Sequence, residues 1–328
     1  PSLGLIGQLV RERTRASRRT LLRGRLAAAL RHEPPDAGKI RLLLDAGLVD
    51  AAATDAVAWA PGALLAQRAS DVAPVLGRLH DRLVGLAGAE FDPSLRCQIG
   101  LLAAEAAACV DPGDSRAGSI LAELAPPDHL RAAADLVEAR VRRVGGDPTG
   151  ATGALGRARS RMRRHPAADL ALAIDLEQGR ARAQGGDAPG SLTAFQSAAR
   201  AAEELGDPVH SEAARLGAGL ARFAMGDLSK CEADLEWARA SALARGHVPG
   251  ALHAAVHLAE VQRVQGRYSD ALLGLEPHLD RARVGTRPFL HGALLLAFAG
   301  LGLELFRLGE VRVLLAELDA IELVRAHP

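Results

Sequence analysis

Aromatic side chains are scarce in this sequence: two tryptophans, one tyrosine and six phenylalanines make up 3% of its 328 residues. Strands draw on aromatic and β-branched residues, so this shortage, beside an abundance of alanine, leucine and arginine, favours helices over sheets. Cysteine is rarer still. Cys97, Cys109 and Cys231 form neither a CxxC pair nor an even set, which excludes a disulfide framework and predicts a reduced, cytoplasmic chain. No charge is in surplus, 40 basic residues standing against 39 acidic, so nucleic-acid binding over the whole surface is not expected. Long apolar runs are missing too. The most apolar stretch, PFLHGALLLAFAGLGL at 288–303, is shorter than a bilayer span of about 20 residues and holds His291; it reads as a buried helix. No signal peptide is recognisable, since Arg11, Arg13 and Arg15 follow only ten residues that lack a small-residue cleavage context. With 48% apolar residues the chain can nonetheless bury a sizeable core. It starts at Pro1 and stops at RAHP, and the expectation is a piece of something longer.

Catalytic motifs are also absent. No GxxxxGK[ST], HExxH or GxSxG occurs, so the sequence offers no phosphate loop, zinc-protease helix or nucleophile elbow. Its carboxylates are scattered along helix faces without a recognisable base or nucleophile beside them. The expectation is a chain that is not an enzyme, with no catalytic residue, no cofactor and no metal.

What the sequence does have is a beat. Gly-Asp stands at 146–147, 186–187 and 226–227, and Gly-Arg at 266–267, forty residues apart each time. Five residues past each glycine come Ala151, Ser191, Cys231 and Ala271; nine past it come Leu155, Phe195, Leu235 and Leu275; seven before it come Ala139, Gly179, Gly219 and Ala259. Small residues at fixed points let helix backbones approach, and large apolar ones fill the layer between them. Breaks at His165-Pro166, LGDP (205–208) and RGHVPG (245–250) divide each repeat into two helices joined by short turns, which forces neighbours to pack antiparallel. A single such hairpin leaves an apolar side bare, and stacking buries it. The expected fold is therefore all-α, an alpha-solenoid of helix hairpins at about 94–124, 128–163, 167–205, 209–245, 249–284 and 288–326. The last unit is looser: Gly309-Glu310 lies 43 residues after Gly266, with Gly302 before it and Leu314 and Leu318 in the matching downstream places.

Leu258, Ala259, Gly266, Tyr268 and Ala271 fit the motif of tetratricopeptide repeats (TPR), which the array resembles, although the usual period is about 34 residues. The elongated unit looks like the sensor regions of large bacterial ATPase-linked transcription regulators, the MalT-like branch of LuxR-type proteins. That resemblance covers residues 94–326. It implies an effector- or partner-binding sensor, non-catalytic by itself, whose ATPase and DNA-binding domains lie elsewhere in the full-length chain. The alternative is a free-standing adaptor for protein–protein interaction.

Residues 1–90 are expected to form a helical connector ahead of a superhelical repeat domain at 91–328. Residues 11–25 hold seven arginines against one glutamate, a patch for nucleic acid or phosphate, or a solvated face covering the joint to a preceding domain. Without interleaved aromatics or a helix-turn-helix the second is preferred, and no direct nucleic-acid or membrane contact is expected. Short helices are predicted around 36–45, 48–59, 61–69 and 71–84. The pattern RRTLLRGRLAAAL…LLLDAGLVDAA resembles the stretch that joins an ATPase-associated winged-helix portion to the repeats in the same regulators.

HAAVHLAE puts His253, His257 and Glu260 on one helix face. With His247 they have the donor types of a zinc site, but the spacing is common in helices and they read as groove histidines. In proteins that this chain resembles, the first helix of each repeat lines the concave face. Carried over, that face comprises Leu136, Arg140 and Arg143, then Leu176, Arg180 and Gln184, then Leu216, Leu220 and Phe223. His253, Val256, Glu260 and Arg263 follow, with Leu303, Phe306 and Arg307 last. Such a groove suits a protein or peptide helix, or a small-molecule effector. Leu216, Leu220 and Phe223 read alternatively as core, because a forty-residue unit can rotate its faces.

Overall fold

A computed structural model describes residues 32–65, 68–86, 91–111, 113, 115–164, 166–285 and 288–320, with scattered positions between 22 and 30; the side chains of residue 65 and residues 280–289 are outside that description. Among the described residues every regular element is a helix. None is long and apolar enough to cross a membrane. The chain divides into two compact units, Pro1–Pro166 and Ala167–Pro328.

The first unit holds α1 (Ala37–Asp45), α2 (Val49–Leu65), α3 (Ala69–Val84), α4 (Pro93–Val110), α5 (Arg116–Glu123), a single 3-10 turn (Asp128–Leu130), α6 (Arg131–Val144) and α7 (Pro148–Met162). Ile40, Leu43, Val72, Leu76, Leu79 and Ile99 form its core with the alanines of α2. The break expected near residue 61 does not occur: α2 runs through Pro61. A proline removes one helical hydrogen bond. Here Ala52, Ala53, Ala56, Ala60 and Ala63 stay buried in register across it, and tertiary packing of that stripe outweighs the local loss. The arginine-rich residues 11–21 lie outside the described residues, as do 321–328.

Among its described residues the second unit stacks four hairpins: α8 (Ala168–Gln184) with α9 (Ala188–Leu205), α10 (Pro208–Ala224) with α11 (Leu228–Ala244), α12 (Val248–Val264) with α13 (Tyr268–Gly285), and α14 (Pro288–Glu304) with α15 (Leu308–Asp319). It is an alpha-solenoid. The Gly-Asp beat has a local cause. Gly146, Gly186, Gly206, Gly226, Gly246 and Gly266 all take left-handed φ values between 64° and 85°, a conformation that glycine adopts without a Cβ clash. At each of these turns the amide of the following residue donates back to a carbonyl five residues earlier, as Asp187 does to Arg182 and Asp227 to Arg222, closing the helix end. The aspartate then opens the next helix. The Asp147 and Asp187 carboxylates accept from the amides of Gly150 and Gly190 at 2.8 and 2.9 Å, and Asp207 accepts from Val209 and His210, satisfying donors that the first turn leaves bare. Within the unit these glycines fall every twenty residues, at 186, 206, 226, 246 and 266, so each helix takes half of a repeat.

The last hairpin departs from the reading at Gly309. Its turn lies at Phe306, forty residues after Gly266, with φ 57°; the Arg307 amide donates to Gly302 at 2.8 Å in the same closure. Val311 and Leu318 are the buried residues of α15. Gly302 lets Val311 come so close that a Cβ on the glycine would fall 2.7 Å from it, and moving the turn to Gly309 would rotate that contact away.

Helices α8, α10, α12 and α14 touch one another in sequence, as well as touching their hairpin partners. They form an inner layer, with α9, α11, α13 and α15 outside it. Between the layers, Phe195 fills a slot made by two glycines: Cβ atoms on Gly179 and Gly217 would fall 2.7 and 2.5 Å from its ring.

Candidate functional site

The inner layer of the second unit brings together Arg180, His253, His257, Glu260 and Arg263. His253 and His257 lie one turn apart on α12, their ring centroids 4.9 Å apart and tilted by 45°. Burial lowers the pKa of His253, aided by the charge of Arg180 across the layer. Burial also lowers His257, to about 4, with His253 adding to it and Glu260 opposing. Both imidazoles are therefore neutral near pH 7, each offering one donor and one acceptor. Arg180 donates to Glu177 at 3.2 Å, and that carboxylate is wholly buried. At the other end Arg263 grips Glu260 through two bonds of 2.7 and 2.8 Å and reaches Glu304 of α14 at 2.6 Å. Hydrogen bonding to Arg263 holds the Glu260 carboxyl below its usual range. The result is a row of Arg180, two neutral histidines and a Glu260–Arg263–Glu304 chain over three helices.

The other expected groove residues are distributed differently. Leu176 is buried in the core with Leu172 and Phe195. Leu216 and Phe223 are half-buried against Cys231, Leu235, Leu258 and Val261, and Leu220 is half-buried as well. Gln184 and Phe306 are exposed. Arg140 and Arg143 belong to the first unit, where Arg140 is half-buried and donates to Glu105 of α4 at 2.5 Å. That contact ties α6 to α4.

No nucleophile stands in the row. Burial raises the thiol of Cys97, and burial with the charges of Asp234 and Glu232 pushes Cys231 up to about 11, so both are inert thiols. Among the described residues no group of three His, Cys, Asp or Glu side chains is placed to hold a metal ion.

A second concavity was not legible in the sequence. A cavity of about 350 Å³ opens between α9 and α11 above α10, lined by Gln196, Arg200, Glu203, Arg215, Arg222 and Asp234 over Ala199 and Ala218. Arg215 lies 4.7 Å above the Trp237 ring and pairs with Glu203 at 2.9 Å, while Arg222 pairs with Asp234. Its residues converge from three helices, and no local spacing announces them. The nearest signal is Ala218, small where the next repeat has Leu258.

No protein-family model matches the chain, and no curated protein matches its sequence. Its fold does match solved structures. A signal transduction ATPase with numerous domains from Pyrococcus horikoshii, which carries a tetratricopeptide repeat sensor, aligns at a TM-score of 0.61 with 14% identity, over 96% of this chain and 50% of that one. This chain thus spans about half the length of that protein. The apo form of RapI aligns at 0.59 with 7% identity, over 82% of this chain and 76% of that one. Aspartyl phosphate phosphatase F from Bacillus subtilis aligns at 0.52 with 10% identity, over 81% and 86%. The fold is a TPR-like alpha-solenoid.

Proposed function

We propose that this chain is a non-catalytic binding scaffold, and that the inner layer of Ala167–Pro328 receives a protein, a peptide or an effector. The observation that carries this reading is the row from Arg180 through His253 and His257 to Glu260, Arg263 and Glu304. These are polar groups on three helices of one layer, α8, α12 and α14, the histidines, Glu260 and Arg263 half-buried and Arg180 and Glu304 exposed, with no activated nucleophile among them. Neutral imidazoles beside a guanidinium suit a polypeptide, whose amides supply donors and acceptors at each residue.

In its finer form the scaffold is the sensor of a multidomain, MalT-like transcription regulator, with residues 1–90 as connector to modules elsewhere in the chain. The likeness to the Pyrococcus horikoshii ATPase, of which this chain spans half, supports that form. Binding then acts by favouring one arrangement of the attached modules over another. A free-standing adaptor is the second reading, favoured by likeness over most of the length of RapI and of phosphatase F.

The test is affinity capture with the full-length natural gene product, wild type and His253→Ala/Arg263→Ala. The expected result is a partner recovered with the wild type and lost with the double variant while both remain folded; equal recovery places binding elsewhere. Intact mass separates the two forms. A chain much longer than 328 residues that carries nucleotide or DNA supports the regulator, and a chain of this length with one protein partner supports the adaptor.

A further inference from the structure

His253 and His257 are set apart from three other histidines of the second unit. His210 holds Asp207 at 2.6 Å, His247 holds Glu212 at 3.1 Å and His291 holds Glu317 at 3.1 Å. Among the described residues neither ring of the α12 pair makes a hydrogen bond. Both rings are only half-buried, and none of their nitrogens is among the sealed polar atoms that lack a partner, so solvent reaches them. The repeat does not call for them either. His253 stands where the other three hairpins have Ala173, Ala213 and Ala293, and His257 where they have Glu177, Gly217 and Ala297. The layer is thus packed three times without an imidazole at these positions.

We propose that His253 and His257 form an open binding site for a divalent transition-metal ion of the zinc or copper class. The spacing alone is common in helices; what the fold adds is that both rings are close, accessible and without a partner. Two histidines four residues apart stand one above the other on a helix face, the spacing at which a helix chelates zinc through two imidazoles, and here the ring centroids are 4.9 Å apart. Unprotonated imidazole is the ligating form, and both rings take that form near pH 7. Imidazole nitrogen selects this class of ion over magnesium and calcium, which take oxygen ligands. The surrounding charge accepts a cation. Arg180 is met by the buried Glu177, while Arg263 is shared by Glu260 and Glu304, so two guanidiniums minus three carboxylates leave the row at −1. Among the described residues no third ligating side chain joins the pair, since Arg263 takes up Glu260 through two bonds. The remaining positions of a four-coordinate ion stay open to water. This site goes beyond the reading of the layer as a polypeptide scaffold and does not rest on it, because the two imidazoles hold the ion whatever else the layer receives.

The probes are zinc(II) and copper(II) salts alone, added to the full chain carrying Cys109→Ser, which removes an exposed thiol. Calorimetry should show one-to-one zinc binding at micromolar concentration, weakened about tenfold or more by His253→Gln and by His257→Gln. His291→Gln should leave it unchanged, and magnesium and calcium should not bind. Circular dichroism at pH 7 checks that the variants fold. Paramagnetic resonance of copper(II) on the unsubstituted pair needs no histidine variant: coupling to two imidazole nitrogens is expected, and coupling to one or none overturns the proposal. Zinc binding that is indifferent to both substitutions, or that needs millimolar metal, marks an adventitious ion only and overturns it as well. With no polypeptide present, failure here leaves the scaffold reading standing, and failed capture of a partner leaves the metal site standing.

Discussion

Phe306 is held at φ 57° where Gly186, Gly226 and Gly266 stand in the earlier repeats, and its ring is 86% exposed. A side chain in the left-handed region costs about 1–2 kcal/mol, and an exposed ring recovers little of that by burial. Phe306→Gly should therefore stabilise the chain by about 1 kcal/mol, glycine's greater unfolded freedom offsetting part of the gain. A urea midpoint equal to or below that of the wild type would sink this account. In the sequence, the turn glycines at 186, 206, 226, 246 and 266 are visible, while the turn at Phe306 is hidden, because the local signal at Gly309 points three residues too far. The register of α15 is decided by Val311 seated on Gly302, a contact that exists only once the hairpin has closed.

Among the elements, some ion pairs have one foot on each of two helices. Arg140 and Glu105 bridge α6 and α4 with side chains only 25% and 16% exposed. Removing the guanidinium leaves a half-buried carboxylate without its donor, so Arg140→Ala should lose about 1–3 kcal/mol. Glu105→Gln/Arg140→Ala should recover part of that loss, because no charge is then stranded. By contrast Arg68 and Asp71, both about half exposed within α3 and its approach, should contribute within about 0.5 kcal/mol. Denaturation curves of these two variants and of Arg68→Ala check the ordering, and equal losses at both sites would refute it. Arg140 was legible as a polar residue on a first helix, but not as a brace: its partner lies 35 residues away, and helix periodicity does not say which faces will meet.

At the scale of the whole molecule, the two neutral histidines link stability to pH. A native pKa of about 4 for His257, below the ordinary imidazole value of 6.5, means that folding favours the uncharged ring. Its contribution is complete above about pH 6.5 and is lost as pH falls toward 4. His253, lowered in the same direction, adds to the slope. Arg180 faces His253 with fixed positive charge, and Glu260 favours the charged form of His257 until it is itself protonated at lower pH. Thermal melts of the wild type should therefore fall between pH 7 and 4.5 more steeply than those of His257→Gln. Parallel slopes would show that the ring is solvated rather than buried.

The sequence by itself determined the helical class, the bounds of the hairpins between 167 and 245 and the forty-residue beat. Each rests on chemistry confined to a few neighbouring residues: glycine for a left-handed turn, aspartate to cap the following helix, and proline tolerated in its first turn. Tertiary structure alone decided that Leu216 and Phe223 lie half in the core, that Arg140 braces α4, and that a cavity opens above Ala218. Those outcomes depend on how far each helix is rotated and how closely its neighbour approaches. Periodicity names a face, and only packing between helices twenty to forty residues apart says what that face meets.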